Sequence, residues 1–157
     1  MPNKCYLDAN VLICFKNEDS QLFGRAVDLL QYLVDTGYML YISPLVIDEF
    51  LYPMKFVLEI KKEKDTISLL KKSLEDILKL PKLKIINPPE DLSSQLKVIS
   101  LMKKFNLQPR DAYHLLTMLS NKIEYFATFD KDFEIVFEKG ILKRVNPNYT
   151  SKARNST

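Results

Sequence analysis

The order of short apolar runs and helical segments constrains this chain most. Cys5-Tyr6-Leu7, Met39-Leu40-Tyr41-Ile42, Leu83-Lys84-Ile85-Ile86 and Tyr125-Phe126-Ala127-Thr128 have strand length, and Ile141–Val145 is predicted to be a fifth, edge strand. The segments between them repeat apolar residues in a helical rhythm. Asn10 can cap a helix through Val11–Phe15, and Leu22, Ala26, Leu29, Leu30, Leu33 and Val34 mark a second helix that Gly37 ends. Ser43-Pro44 opens a third helix, with proline in its favoured first turn. That helix is predicted to run toward Lys64 with a kink or split at Pro53. Further helices are expected over 66–79, 90–104 and from Pro109 to about Asn121. Strands alternating with helices specify an α/β domain with a mainly parallel sheet.

The length of 157 residues suits one domain, expected over 1–146, with a polar, disordered tail over 147–157. The net charge of +3 neither demands nor excludes a nucleic-acid partner, so local charge must decide. Cys5 and Cys14 have no metal-site spacing and form no disulfide framework, which points to a reducing cytoplasm, and Cys5 reads as a buried small hydrophobe. No stretch approaches the ~20 apolar residues of a membrane helix, and no signal peptide is expected. Three glycines without a Gly-rich phosphate loop exclude a P-loop nucleotide site.

The chemistry lies in carboxylates. Asp8 directly follows the first strand and Asp130 the fourth. Ligands of parallel α/β sheets bind at the carboxyl ends of strands, so both acids fall on that edge. Asp111 sits in the first turn of its helix, and Glu49 lies one to two turns into the helix after strand two. Four carboxylates from distant parts of the chain can then converge. Such a cluster needs a cation to offset its repulsion, and hard oxygen ligands favour Mg²⁺ or Mn²⁺. Those ions suit phosphodiester hydrolysis.

Each acid also has an ordinary structural use. Asp8 has the alternative role of a helix cap, but Asn10 is better placed for that. Asp111 could merely complement the helix dipole. Of Asp48 and Glu49, Glu49 is taken as the inward acid, although the residues alone leave its role open. Asp132 can cap a helix starting at Phe133, which leaves Asp130 as the ligand. His114, the only histidine, shares a helix face with Asp111 and reads as a packed or hydrogen-bonded residue rather than a base or ligand. Lys61, Lys62, Lys64, Lys71 and Lys72 read first as a solvated helical face, with contact to RNA phosphates as the alternative.

Four segments together resemble a PIN domain, the fold of the VapC-type toxin ribonucleases: Tyr6-Leu7-Asp8-Ala9-Asn10-Val11-Leu12, Ser43-Pro44-Leu45-Val46-Ile47-Asp48-Glu49-Phe50, Arg110-Asp111-Ala112-Tyr113-His114-Leu115 and Ala127-Thr128-Phe129-Asp130-Lys131-Asp132-Phe133. The resemblance spans roughly residues 4–137. It implies a three-layer fold with a five-stranded parallel sheet flanked by helices. It makes Asp8, Glu49, Asp111 and Asp130 the catalytic, metal-binding quartet, Asn10, Ser43 and Thr128 polar supports, and Asp132 an additional acid. The implied activity is metal-dependent cleavage of single-stranded RNA, as the toxin of a toxin–antitoxin pair or as a PIN nuclease of RNA processing or decay. A non-enzymatic receiver domain fits poorly, because Ile85-Ile86-Asn87 brings no aspartate after the third strand. An Asp-x-Asp phosphatase is disfavoured by asparagine at position 10. The segment 52–80 is long for the family, whose corresponding helices form a clip used in dimerisation or antitoxin binding. It carries more apolar residues than packing on one sheet requires, so a homodimer or an antitoxin complex is expected to bury part of region 50–80.

Overall fold

The computed structural model describes residues 1–145, so the tail expected over 147–157 lies outside the described residues. The chain runs β1 (Lys4–Leu7), α1 (Ala9–Lys16), α2 (Phe23–Asp35), β2 (Met39–Ile42), α3 (Pro44–Ile60), α4 (Thr66–Leu78), β3 (Leu83–Ile85), α5 (Leu92–Phe105), α6 (Pro109–Ser120), β4 (Tyr125–Ala127), a 3-10 turn (Lys131–Phe133), α7 (Glu134–Glu138) and β5 (Lys143–Arg144). All strands pair in parallel in the order β3-β2-β1-β4-β5, the five-stranded α/β architecture anticipated above.

This order places the site. From β1 the chain steps outward to β2 and β3, then returns to β4 on the other flank of β1. The direction of winding reverses between β1 and β4, and parallel sheets open a ligand crevice at the carboxyl end of such a reversal. Register sets Leu7 beside Ala127, so the residues that follow them start level. The Asp8 amide donates to the Ala127 carbonyl at 3.0 Å.

Cys5, Tyr6 and Leu7 are all fully buried. Successive strand side chains point to opposite faces, so helices must cover both faces of the central strand, which gives three layers. Helix α1 packs on α2 and α3, α3 on α4, and α5 on α6. Helix α2 ends as expected at Gly37, at φ +79°, with Gly37 N–H bonded to Val34 C=O and Tyr38 N–H to Leu33 C=O. That double bond closes the helix and turns the chain straight into β2. None of the helices among the described residues is long and apolar enough to cross a membrane.

Three local expectations change. Helix α3 is not split at Pro53; it runs unbroken and ends at Ile60. Pro53 removes one backbone donor, the one that would reach the Glu49 carbonyl, at a penalty of ~3 kcal/mol. Val46, Phe50 and Met54 form a buried i, i+4, i+8 stripe on the same helix, and each contributes about 1.5–3 kcal/mol. Packing therefore outweighs propensity. Asn10 is not the cap of α1. The chain turns directly from β1, so the extended residue at the boundary is Asp8 and Asn10 falls inside the first turn. Strand β5 is only Lys143–Arg144, because the flanking Leu142 and Val145 turn inward to the core.

Phe126 sits at the centre of the sheet, fully buried, with ring contacts to Tyr6, Phe133 and Phe137. Phe126→Ala is expected to lower unfolding free energy by about 3–5 kcal/mol in urea titration, because the surrounding rings cannot close the cavity.

Candidate active site

Asp8 leaves β1 and turns at once into α1, so its carboxylate sits at the crevice, 9% exposed. Such burial requires donors. Thr128 Oγ1 donates to Asp8 Oδ2 at 2.6 Å, and Asn10 Nδ2 donates to the same oxygen at 3.2 Å. Asn10 also reaches Thr128 Oγ1 at 3.3 Å, while its Oδ1 accepts from Phe129 N–H at 3.2 Å. One asparagine thereby ties the end of β1 to the end of β4. Burial pushes the Asp8 carboxyl above its usual range, and the Thr128 hydroxyl pulls it back only in part.

Thr128 Oγ1 accepts from Asp130 N–H at 3.0 Å, and Asp130 Oδ1 accepts from Asp132 N–H at 2.9 Å. The capping role assigned to Asp132 therefore belongs to Asp130, which starts the 3-10 turn while Asp132 lies within it and is exposed. The turn starts at Lys131, two residues after Phe129 and too early for Asp132 to cap it. Asp130 still faces the crevice.

Glu49 is held from two sides. Helix α3 starts with Ser43, whose Oγ accepts from Val46 N–H at 3.3 Å, and with Pro44 in the first turn. Glu49 stands one turn beyond Val46, beside the buried stripe. Its Oε2 lies 2.7 Å from His114 Nε2, and its Oε1 lies 3.3 Å from Arg110 Nε. His114 is 2% exposed and its Nδ1 lies 2.8 Å from the Tyr6 hydroxyl, which in turn lies 2.6 Å from Ser43 Oγ. A proton order satisfying every link has Ser43 donating to Tyr6, Tyr6 to Nδ1, and Nε2–H to Glu49. His114 is thus the hydrogen-bonded residue expected, but its partner is a site carboxylate.

Asp111 projects from the first turn of α6, started by Pro109. Burial, then the charges of Asp130 and Asp8, push its carboxyl up to about 6. Ligand atoms of Asp111, Asp130 and Asp132 lie within 4.8 Å of one another, as do those of Asp8, Glu49 and His114. His114 already uses both ring nitrogens, which leaves a donor set of carboxylate oxygens. That set, with its repulsion uncompensated at Asp111, fits a hard divalent cation. Asp8, Glu49, Asp111 and Asp130 line one depression of ≈ 460 Å³ together with Asn10, Asp48 and Arg110. Asp132 stands at its edge, in the second carboxylate group.

The five lysines do not line this depression. All are exposed, Lys61 pairs with Asp19 at 2.9 Å, and Lys71 lies 3.8 Å from Glu75. The sequence pattern assigns no role to Tyr6 or Arg110. A signal existed for Tyr6: two residues before Asp8, it shares that side of the strand.

Comparison with known proteins agrees with this geometry. The PIN domain family profile matches residues 5–138. Ribonuclease VapC6 of Methanocaldococcus jannaschii is 28% identical, over 86% of this chain and 94% of that protein. Among solved structures, FitAcB from Neisseria gonorrhoeae superposes with a TM-score of 0.64 at 20% identity, covering 92% of this chain and 99% of that one. A toxin-antitoxin complex from Klebsiella pneumoniae superposes with a TM-score of 0.57 at 22% identity, covering 91% and 97%.

The raised Asp111 carboxyl sets a pH dependence. Between its ordinary 3.8 and about 6, the folded chain holds a proton that the unfolded chain has released. Metal-free stability should therefore fall as pH rises through that window and level off above it. A cation removes the repulsion, so Mn²⁺ is expected to raise the melting temperature more at about pH 7.5 than at about pH 4.5. Asp111→Asn should flatten the metal-free slope. Scanning calorimetry across this range checks both.

Proposed function

The chain belongs to the PIN domain family, and we propose that it is the ribonuclease toxin of a toxin–antitoxin pair, cutting single-stranded RNA with Mg²⁺ or Mn²⁺ held in the acidic depression. The observation that carries this reading is the convergence of Asp8, Glu49, Asp111 and Asp130 on one crevice, with the Asp111 carboxyl raised by burial and then by the charges of Asp130 and Asp8. Similarity to Ribonuclease VapC6 supports the activity, and likeness in fold to a toxin-antitoxin complex supports an antitoxin partner.

In this reading the four carboxylates hold the ion. When bound, it lowers the pKa of water and withdraws charge from phosphate oxygens. The chain's own groups keep the ligands in place. Thr128 and Asn10 fix Asp8 by its Oδ2, so the carboxylate keeps one orientation. His114 and Arg110 fix the two oxygens of Glu49, and Ser43 and Tyr6 fix His114. Such outer partners typically account for 10- to 100-fold in metal affinity. Arg110 is the one cation lining the depression among the described residues, and its exposed guanidinium can also meet an incoming phosphate. Lys61, Lys62, Lys64, Lys71 and Lys72 are assigned to more distant phosphate contact, which adds affinity without sequence choice.

Helices α3 and α4 expose Phe56, Ile60 and Ile67, each more than half open to solvent. We assign this face to a protein interface, in a homodimer or against the antitoxin.

Asp8→Asn is expected to reduce cleavage of single-stranded RNA by several orders of magnitude while the fold is kept, and EDTA should abolish cleavage by the unsubstituted chain. Full activity of Asp8→Asn in Mg²⁺ would refute the assignment. Thr128→Val, which removes only the hydroxyl on Asp8, should weaken Mn²⁺ binding roughly 10- to 100-fold in calorimetric titration. Light scattering at micromolar concentration is expected to give a dimer mass, which Phe56→Glu should reduce to that of a monomer.

A further inference from the structure

Tyr52 is placed where a core residue would not be. It follows Glu49 by one turn of α3, lines the same depression as the four acids, and is 83% exposed. No ring contact or hydrogen bond engages it among the described residues. Ile13 and Pro53 line the depression with it, giving an apolar edge to a pocket whose remaining lining is five carboxylates, Ala9, Asn10 and Arg110. An acidic crevice that binds a phosphodiester has the bases on either side of that phosphate still to place. A flat, open aromatic beside an apolar edge matches the face of a nucleobase, not its charge. Base–aromatic stacking is worth about 1–3 kcal/mol and tolerates any sequence, because every base has a π-face. It also requires a base free of a duplex stack.

Resting on the ribonuclease reading, we propose that Tyr52, with Ile13 and Pro53 beside it, is a nucleobase-stacking subsite that seats the base next to the scissile phosphate. It binds RNA through a base and not through charge, and it selects unpaired strands. Tyr52 stacks a base while the acids hold the ion, so its loss should weaken strand binding and leave metal affinity alone.

The chain contains no tryptophan. Tyr52→Trp therefore introduces a single indole at the subsite, and the Asp8→Asn background keeps the probe strand uncut. The probe is a short oligouridylate with a terminal dye, so that anisotropy measures binding independently of the indole. Saturable quenching of the indole by oligouridylate is expected, with none from the same backbone made abasic or from inorganic phosphate. Tyr52→Ala should weaken oligouridylate binding about tenfold or more, Tyr52→Phe should restore it, and Mn²⁺ affinity should be the same in all. Binding by anisotropy without quenching, or equal affinity of Tyr52→Ala, overturns the subsite and leaves the nuclease reading standing. A Tyr52→Ala chain that changes only its sedimentation would assign the ring to a protein interface and overturn the subsite likewise. Failure of the strand to bind any variant, in a chain that also cuts no RNA when unsubstituted, would remove the ribonuclease reading itself.

Discussion

A carboxylate buried at the end of a strand, surrounded by more carboxylates, is the constraint on which this structure turns. Asp8 loses most of its water, and among the described residues its side-chain partners are the uncharged Asn10 and Thr128. The fold answers with neutral donors that follow β1 and β4, Asn10 and Thr128, which also fasten those strand ends together. Hydroxyl and amide donors steady the anion without discharging it. The residual negative potential is then available to a cation, whereas an arginine at that position would have satisfied the acid and closed the site to metal.

Glu49 is held by a different device. Its helix begins at the sheet edge through Ser43, and the same hydroxyl is the far end of a chain through Tyr6 and His114 back to the Glu49 carboxylate. The residue that sets where α3 starts therefore also helps set where its acid points. That closed loop lets a helical residue, more than a turn from the strand end, be as well located as one at the strand end. It also explains how a sole histidine can be almost entirely buried beside an acidic site with both ring nitrogens bonded.

The sequence made strand-end acids legible because a strand is recognised by its short apolar run and its last residue fixes an edge. Asp8 follows from that rule alone, whereas Asp130 also rested on a capping contrast with Asp132 that the structure reverses. Glu49 did not follow from the rule, since the facing of a helical acid depends on how the helix lies on the sheet, and the motif resemblance had to supply it. The link from Glu49 to His114 joins residues 65 positions apart and leaves no local trace. The two capping errors have a common cause. Asn10 and Asp132 each satisfy the local preference for a cap, but the neighbouring Asp8 and Asp130 reach the boundary first because the chain turns immediately after β1 and soon after β4. At Pro53 a local rule lost to the packing of Phe50 and Met54.

The bond from Thr128 to Asp8 spans 120 positions. A chain made from its amino end forward exposes Asp8 long before the hydroxyl that steadies it. Asp111 and Asp130 likewise come from the final third of the sequence. Contacts between distant parts of a chain form late, after the intervening segments exist. Helices and the first strands can fold during synthesis, but nothing that resembles the crevice can. For a ribonuclease, whose own message is a potential substrate, this order of assembly delays cleavage until the ribosome has read past Asp130.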